Sequence, residues 1–341
     1  MVLRGKRLRG RVIDGLNVLL ERKGKVIIPR DRLYDWQLNP ITEAVYNPIG
    51  LSEDAKKYLV PDNPKLLDLK RRYAKCDPDV ITPLQWKEDY VRTEDIGYFR
   101  GDNAYVWQVR DSKFNFNILG YTLAAHYVES IDHYKLLDQL TEDNAFGNFT
   151  FDIAGRVISR DLLDSIIEIN LLDRYLGLMS RSDLTMLDIG AGYGRLAYRA
   201  STAVPRLKQY LCADAVPYST FISEFYLRYR NATGNTEVVA LDEIERSLAT
   251  KKIDIAVNIH SFPECRLEAI EWWVSRLARS HVKHFMVNCE SQKLQTDDQK
   301  DFSPILERHG YRLLAREPKY RDPVIQKYAI APDHYFFFEL H

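Results

Sequence analysis

The 341-residue sequence predicts an α/β protein, with a seven-stranded doubly wound sheet whose last strand runs antiparallel, preceded by a mainly helical N-terminal region. Three observations predict it. Residues 185–196, Thr-Met-Leu-Asp-Ile-Gly-Ala-Gly-Tyr-Gly-Arg-Leu, read as a buried strand running through a glycine turn into a helix. From Thr185 onward strand and helix patterns alternate, with strands near 185–189, 209–213, 236–241, 253–259, 282–288, 311–316 and 334–340. No long helical pattern separates the last two, so the run Tyr335, Phe336, Phe337 and Phe338 returns as the second arm of a hairpin.

Composition narrows the function classes. Hydrophobic residues make up 45% of the chain, enough for a sizeable core, and 48 Lys plus Arg balance 48 Asp plus Glu. A net charge of zero gives no global attraction to polyanions, so nucleic acid is not the default partner. Cys76, Cys212, Cys265 and Cys289 form no C-x-x-C pair, which argues against a zinc site and a disulfide framework. Reduced cysteines, with neither a signal peptide nor a membrane-spanning stretch in the pattern, lead us to expect a cytoplasmic protein. The pattern leaves the oligomeric state open.

Three regions follow in order. Residues 1–80 comprise a basic arm and short helices. Arg4, Lys6, Arg7, Arg9, Arg11, Arg22, Lys23, Lys25, Arg30 and Arg32 dominate the arm, while Val12, Leu16, Leu19 and Leu20 fall roughly on one helical face. The arm either packs against its own domain or meets an anionic surface or partner. Ser52 before Glu53 and Asp54, and Asn63 before Pro64, are helix starts. Residues 81–158 form a helical and aromatic cap that mixes rings with hydrogen-bonding groups around 98–111. Asp102, Tyr105, Trp107 and Arg110 there suit contact with a polyhydroxylated acceptor, or else seam the N-terminal region onto the sheet. A helix is expected over 115–139. Residues 159–341 are the catalytic domain, opened by a helix over 159–176 in which Leu162, Ile166, Ile169, Leu172 and Leu176 recur at helical spacing below a Ser159 cap.

The glycine turn narrows the ligand. A dinucleotide site wants G-x-G-x-x-G and tolerates no carboxylate beside a pyrophosphate; this chain has G-x-G-x-G after Asp188. Asp188 suits a ligand carrying an ammonium and a sulfonium, which is S-adenosylmethionine. Asp188, Gly190, Gly192 and Tyr193 are therefore donor-binding candidates. Asp214, twenty-four residues after Gly190 at the end of the second strand, can accept from ribose hydroxyls. Asp242, preferred to Glu243 at the end of the third, can accept from an adenine amino group. Arg160 is a candidate for the carboxylate of the donor.

The fourth strand ends in Asn258-Ile259-His260-Ser261-Phe262-Pro263-Glu264, with Asn258 on the donor side. It holds neither the Asn/Asp-Pro-Pro-aromatic tetrapeptide of base nitrogen methylation nor a Pro-Cys nucleophile. His260 offers a proton acceptor for an alcohol, with Glu264 four residues on to orient it. Glu290 after strand five is a substrate-side candidate. Asp333 and His334 start strand seven on the same edge, and His334 is the alternative base. A divalent metal that acidifies the alcohol is possible but disfavoured, because a histidine and an asparagine stand where an acid would ligate better.

The segments 159–165, 188–195 and 258–264, with Arg100-Gly101-Asp102-Asn103, resemble the sugar O-methyltransferases of the nanchangmycin type, from about residue 90 onward. The resemblance implies the Rossmann-like class I methyltransferase fold, S-adenosylmethionine as donor and a sugar hydroxyl as acceptor, on a glycan, a glycosylated metabolite or a nucleotide-linked sugar. Related sequences accept aspartate at the position of His260, so the base is not carried over from the family. The competing readings are an RNA methyltransferase that uses the basic arm, a non-catalytic scaffold on the same fold, and an NAD oxidoreductase, which the glycine spacing disfavours.

Overall fold

The computed structural model describes residues 51–86, 91–100 and 118–341, with Leu16, Leu19, Leu20, Arg22 and Lys23. The rest of the basic arm, and Asp102, Tyr105, Trp107 and Arg110, lie outside the described residues.

The N-terminal region is helical and closely capped. Helix α1 (Glu53–Tyr58) starts where Ser52 Oγ accepts from the Ala55 N–H, and α2 (Pro64–Tyr73) where Asn63 Oδ1 accepts from Lys65. A single turn, α3 (Pro78–Ile81), is capped by Asp77. The helix expected over 115–139 is two helices, α4 (Ile118–Ile131) and α5 (Leu136–Gln139). Strands β1 (Phe151–Ile153) and β2 (Arg156–Ile158) form an antiparallel hairpin that the sequence reading leaves out. Its turn places Ala154 and Gly155 at φ 53° and 76°, the geometry of a tight two-residue connection.

Helix α6 (Arg160–Leu176) begins at Ser159, whose Oγ accepts from Leu162 at 3.0 Å, and ends at Gly177 in the left-handed region. It leads into the main sheet: β3 (Leu184–Ile189), β4 (Leu207–Ala213), β5 (Thr236–Val239), β6 (Ile255–Ile259), β7 (His284–Cys289), β8 (Tyr311–Pro318) and β9 (His334–Leu340). The intervening helices are α7 (Arg195–Ala203), α8 (Pro217–Tyr229), α9 (Ile244–Thr250), α10 (Leu267–Arg279), α11 (Ser303–Arg308) and the short α12 (Pro323–Tyr328). The strand order is β5-β4-β3-β6-β7-β9-β8, with β9 antiparallel to both neighbours. This is the class I methyltransferase fold.

Both faces of the sheet are covered, which is why its strands read as apolar runs. Phe336 and Phe338 point into one core with Leu187, Ile189 and Phe285; Tyr335 and Phe337 point into the other with Met186, Tyr210 and Val257. The N-terminal helices close one side. Tyr73 of α2 shares a hydrogen bond of 2.7 Å with Thr220 of α8, and its hydroxyl accepts from the Leu241 N–H.

Arg100, fully buried, anchors the chain between the N-terminal region and the sheet. Its guanidinium reaches Glu142 at 2.5 Å and Asp143 at 2.6 Å, Arg199 reaches Glu142 at 2.7 Å, and Arg230 grips Asp143 at 2.6 and 2.8 Å. Burial raises both carboxyls, but the arginines outweigh it and hold each below the usual carboxylate range. Glu142→Ala would leave Arg100 and Arg199 buried without that counter-charge. A loss of about 3–5 kcal/mol is expected, read as a lower urea midpoint at unchanged slope.

Candidate functional site

The carboxyl ends of β3, β4 and β6 open on one cavity, where open α/β sheets place their ligands. Two glycines shape its floor. Gly190, at φ 73°, has no room for a β-carbon because the Ser261 side chain packs against it. At Gly192, φ 56°, a β-carbon would meet nothing within 4 Å and would project into open space.

Hydrogen-bond accounting shows what this turn does not offer. The Gly190 and Ala191 N–H groups donate to Ala213 C=O at 2.8 and 3.2 Å, Gly192 N–H to Asp214 Oδ2 at 3.0 Å, and Gly194 N–H to Ala191 C=O at 2.9 Å. A phosphate-binding turn keeps such donors for its ligand. Here they are used by the fold, and carboxylates stand beside them, while Arg195 after the turn is engaged by Glu168. Asp188 is buried and accepts from Tyr210 Oη at 3.0 Å; Asp214 accepts from the N–H groups of Gly192 and Val216. Burial pushes Asp188 up to about 7 and Asp214 up to about 6, against the pull of these donors. Both carboxyls gain from a cationic or hydroxyl-bearing ligand.

A second, polar cleft adjoins the first and shares Arg160, His260 and Glu264 with it. Glu290, Asp297, Gln295 and Thr296 stand on its far side. His260 sits on the border at φ 61°, left-handed backbone that a non-glycine residue rarely adopts. Asn258 holds it there: its Nδ2 donates to Ile189 C=O and its Oδ1 accepts from Phe262 N–H, both at 2.8 Å. The imidazole Nε2 lies 3.4 Å from Asp333 Oδ2. Burial draws the imidazole down, but Asp333 outweighs it and the net shift is upward. Asp333 itself lies well below the usual range: burial raises it, and Lys319 and His260 outweigh that.

Several expected roles change. Glu264 does not orient His260 through a hydrogen bond; Trp86 Nε1 donates to it at 2.7 Å, and burial pushes it up to about 7. Asp333 stands where Glu264 was expected, because the β8–β9 connection returns to the end of β7, the neighbour of β6 in the sheet. Asn258 has both ends of its amide bound to backbone, is fully buried and lines neither cavity, so it positions the turn. β5 stops at Val239, and Asp242 lies in a short turn (Leu241–Glu243) outside the cavity, paired with Arg72 at 2.8 Å. His334 lines neither cavity. Its side chain is buried beside β8, and its carbonyl accepts from Asn288. Tyr193 lines the first cavity with its hydroxyl on Asp161.

The sequence reading also misses residues. Val80, Pro83 and Trp86 from the N-terminal region wall the first cavity, and no local signal in an irregular segment marks them. Asp161, Asp164, Ser165 and Glu168 carried a signal, a polar stripe at helical spacing on α6, which is buried and faces the site. Tyr193 bonds Asp161, Lys319 pairs with Asp164 at 2.6 Å, and Arg195 grips Glu168 at 2.8 Å through both nitrogens. Among the described residues no group of three His, Cys, Asp or Glu side chains is arranged to hold a metal ion. No described helix is long and apolar enough to cross a membrane.

No family model and no curated protein matches the chain. Solved structures similar to it include magnesium protoporphyrin IX methyltransferase from Synechocystis PCC 6803 with bound SAM, at 13% identity and TM-score 0.39 over 53% of this chain and 83% of that one. A SAM-dependent methyltransferase from Aquifex aeolicus is similar at 15% identity and TM-score 0.38, over 50% and 89% of the two chains. The cyclase SpnF is similar at 13% identity and TM-score 0.40, over 66% and 96%.

The bracket around His260 is testable without knowledge of the ligand. Asn258→Ala strands a buried N–H and a buried C=O, and each costs about 1–3 kcal/mol. Thermal denaturation should show the loss, and Asn258→Asp, which retains the acceptor for Phe262, should recover part of it.

Proposed function

We propose that the chain is an S-adenosylmethionine-dependent O-methyltransferase whose acceptor is a sugar hydroxyl. The observation that carries this reading is the position of His260, on the border between the carboxylate-flanked glycine cavity and the polar cleft. The donor fits the first: Gly192 leaves open space, Asp188 meets positive charge, and Asp214 meets hydroxyls. Arg160, on the wall of both cavities, meets a carboxylate. The cleft, rich in carboxylates, amides and hydroxyls, suits a polyhydroxylated ring. The resemblance of residues 159–165, 188–195 and 258–264 to sugar O-methyltransferases agrees with it.

The donor supplies an electrophilic methyl group on sulfur. His260 holds Nε2–H toward Asp333, which leaves Nδ1 to take the proton of the acceptor hydroxyl as its oxygen bonds to the methyl carbon and the carbon–sulfur electron pair stays on sulfur. Alignment of the two cavities supplies most of the rate, and the base adds roughly 10²- to 10⁴-fold.

Isotopically labelled donor, offered with a panel of glycosides and with RNA, tests the acceptor class. Label in a glycoside is expected; label confined to RNA would overturn the sugar. With an active glycoside, His260→Ala should lower kcat by about 10²- to 10⁴-fold with donor affinity kept, and EDTA should change little. EDTA-sensitive turnover restored by magnesium would assign the activation to a metal instead.

Donor binding has a pH signature. The cationic donor binds the ionised forms of Asp188 and Asp214, whose upward shifts to about 7 and about 6 place protons on them as pH falls. Calorimetric affinity for S-adenosylmethionine should therefore be steady above pH 8 and weaken between pH 7 and 5. At 100 times the dissociation constant the ligand should stabilise the protein by about 2.7 kcal/mol, and NAD should give nothing.

A further inference from the structure

We propose that Lys319 is a positioning residue for the base: its ammonium shares one oxygen of Asp333 with His260, so that Asp333 orients the imidazole without locking a proton onto it. This rests on the reading of His260 as the base. A carboxylate facing an imidazole in a closed site favours the imidazolium, which has no lone pair and cannot accept from a hydroxyl. An orienting aspartate thus works against the base it orients, unless its charge is balanced from behind.

The structure supplies that balance. Lys319 is 1% exposed, with Nζ 3.3 Å from Asp333 Oδ2 and 2.6 Å from Asp164 Oδ1. The same Oδ2 lies 3.4 Å from His260 Nε2. Lys319 N–H donates to Asp333 C=O at 2.8 Å, so the pairing that continues the β8–β9 ladder fixes the spacing. Arg160 adds a second cation, its Nε 3.5 Å from Asp164.

Among the described residues, the charged groups around His260 are Asp333 before β9, Lys319 after β8, Arg160 and Asp164 on α6, Glu264 after β6, and Glu290 and Asp297 after β7. In the inner group, two carboxylates face two cations, and the sum is zero only while the imidazole is neutral. Lys319 and Arg160 both restrain the upward pull of Asp333 on His260.

Histidine Cε1–H NMR titration of the full chain tests this without an acceptor, the His260 resonance being identified by its loss in His260→Gln. Lys319→Met should raise the His260 midpoint by roughly one pH unit, and Lys319→Arg should restore it. Asp164→Asn removes a negative charge and frees Lys319 for Asp333, so it should lower the midpoint. An unchanged or lowered midpoint in Lys319→Met overturns the proposal. If that variant does not fold, an unchanged or raised midpoint in Asp164→Asn does so. Normal turnover in His260→Ala with these shifts intact would remove the base reading and leave the electrostatic coupling standing.

Discussion

A charged helix face buried against a sheet has to be neutralised group by group, and α6 sets that constraint for the rest of the structure. Residues 161–172 are buried without a break, Asp161, Asp164 and Glu168 among them. Left unpaired, each carboxylate would cost several kcal/mol. Their partners come from three places: Tyr193 in the glycine turn, Arg195 at the head of α7, and Lys319 between β8 and β9. The turn and the β8–β9 crossover are thereby held at fixed distances from one helix. The polar stripe that looks unfavourable for a core helix is what registers the floor of the site against its wall.

The fold was legible in the sequence because the sheet is covered on both faces. Short apolar runs such as Met186, Leu187 and Ile189, and Tyr335 to Phe338, mark such strands whatever they pack against, and the glycine turn fixes where the first one ends. The end of β5 was less legible: apolar pattern continues through Ala240 and Leu241, yet pairing stops at Val239. The β1–β2 hairpin, with three-residue arms, is too short to show a period.

The site was legible only where one stretch of chain builds it. Asp188, the glycines and Asp214 follow from the strand-turn-helix pattern, and His260 from the end of β6. Which carboxylate backs His260 is a matter of juxtaposition across seventy-three residues of chain, and spacing along the sequence favoured Glu264 instead. Asn258 shows the same limit. A strand-end asparagine reads equally well as a ligand contact and as a bracket, and only the positions of Ile189 and Phe262 decide between them. The bracket also accounts for the left-handed backbone of His260, since the surrounding bonds hold a conformation costing about 1–3 kcal/mol.

The place of β9 in the sheet bears on the order in which the protein is completed during synthesis. β9 lies between β7 and β8 although it follows both in the chain, so the β8–β9 pair docks on β7 after the strands of the glycine cavity have been made. Asp333 and Lys319 travel with that pair. A nascent chain can assemble the glycine cavity while His260 still lacks its carboxylate, which arrives with the final hairpin. Completion of the glycine cavity and completion of the His260–Asp333 pair are thus separated in the order of synthesis by the topology of the sheet.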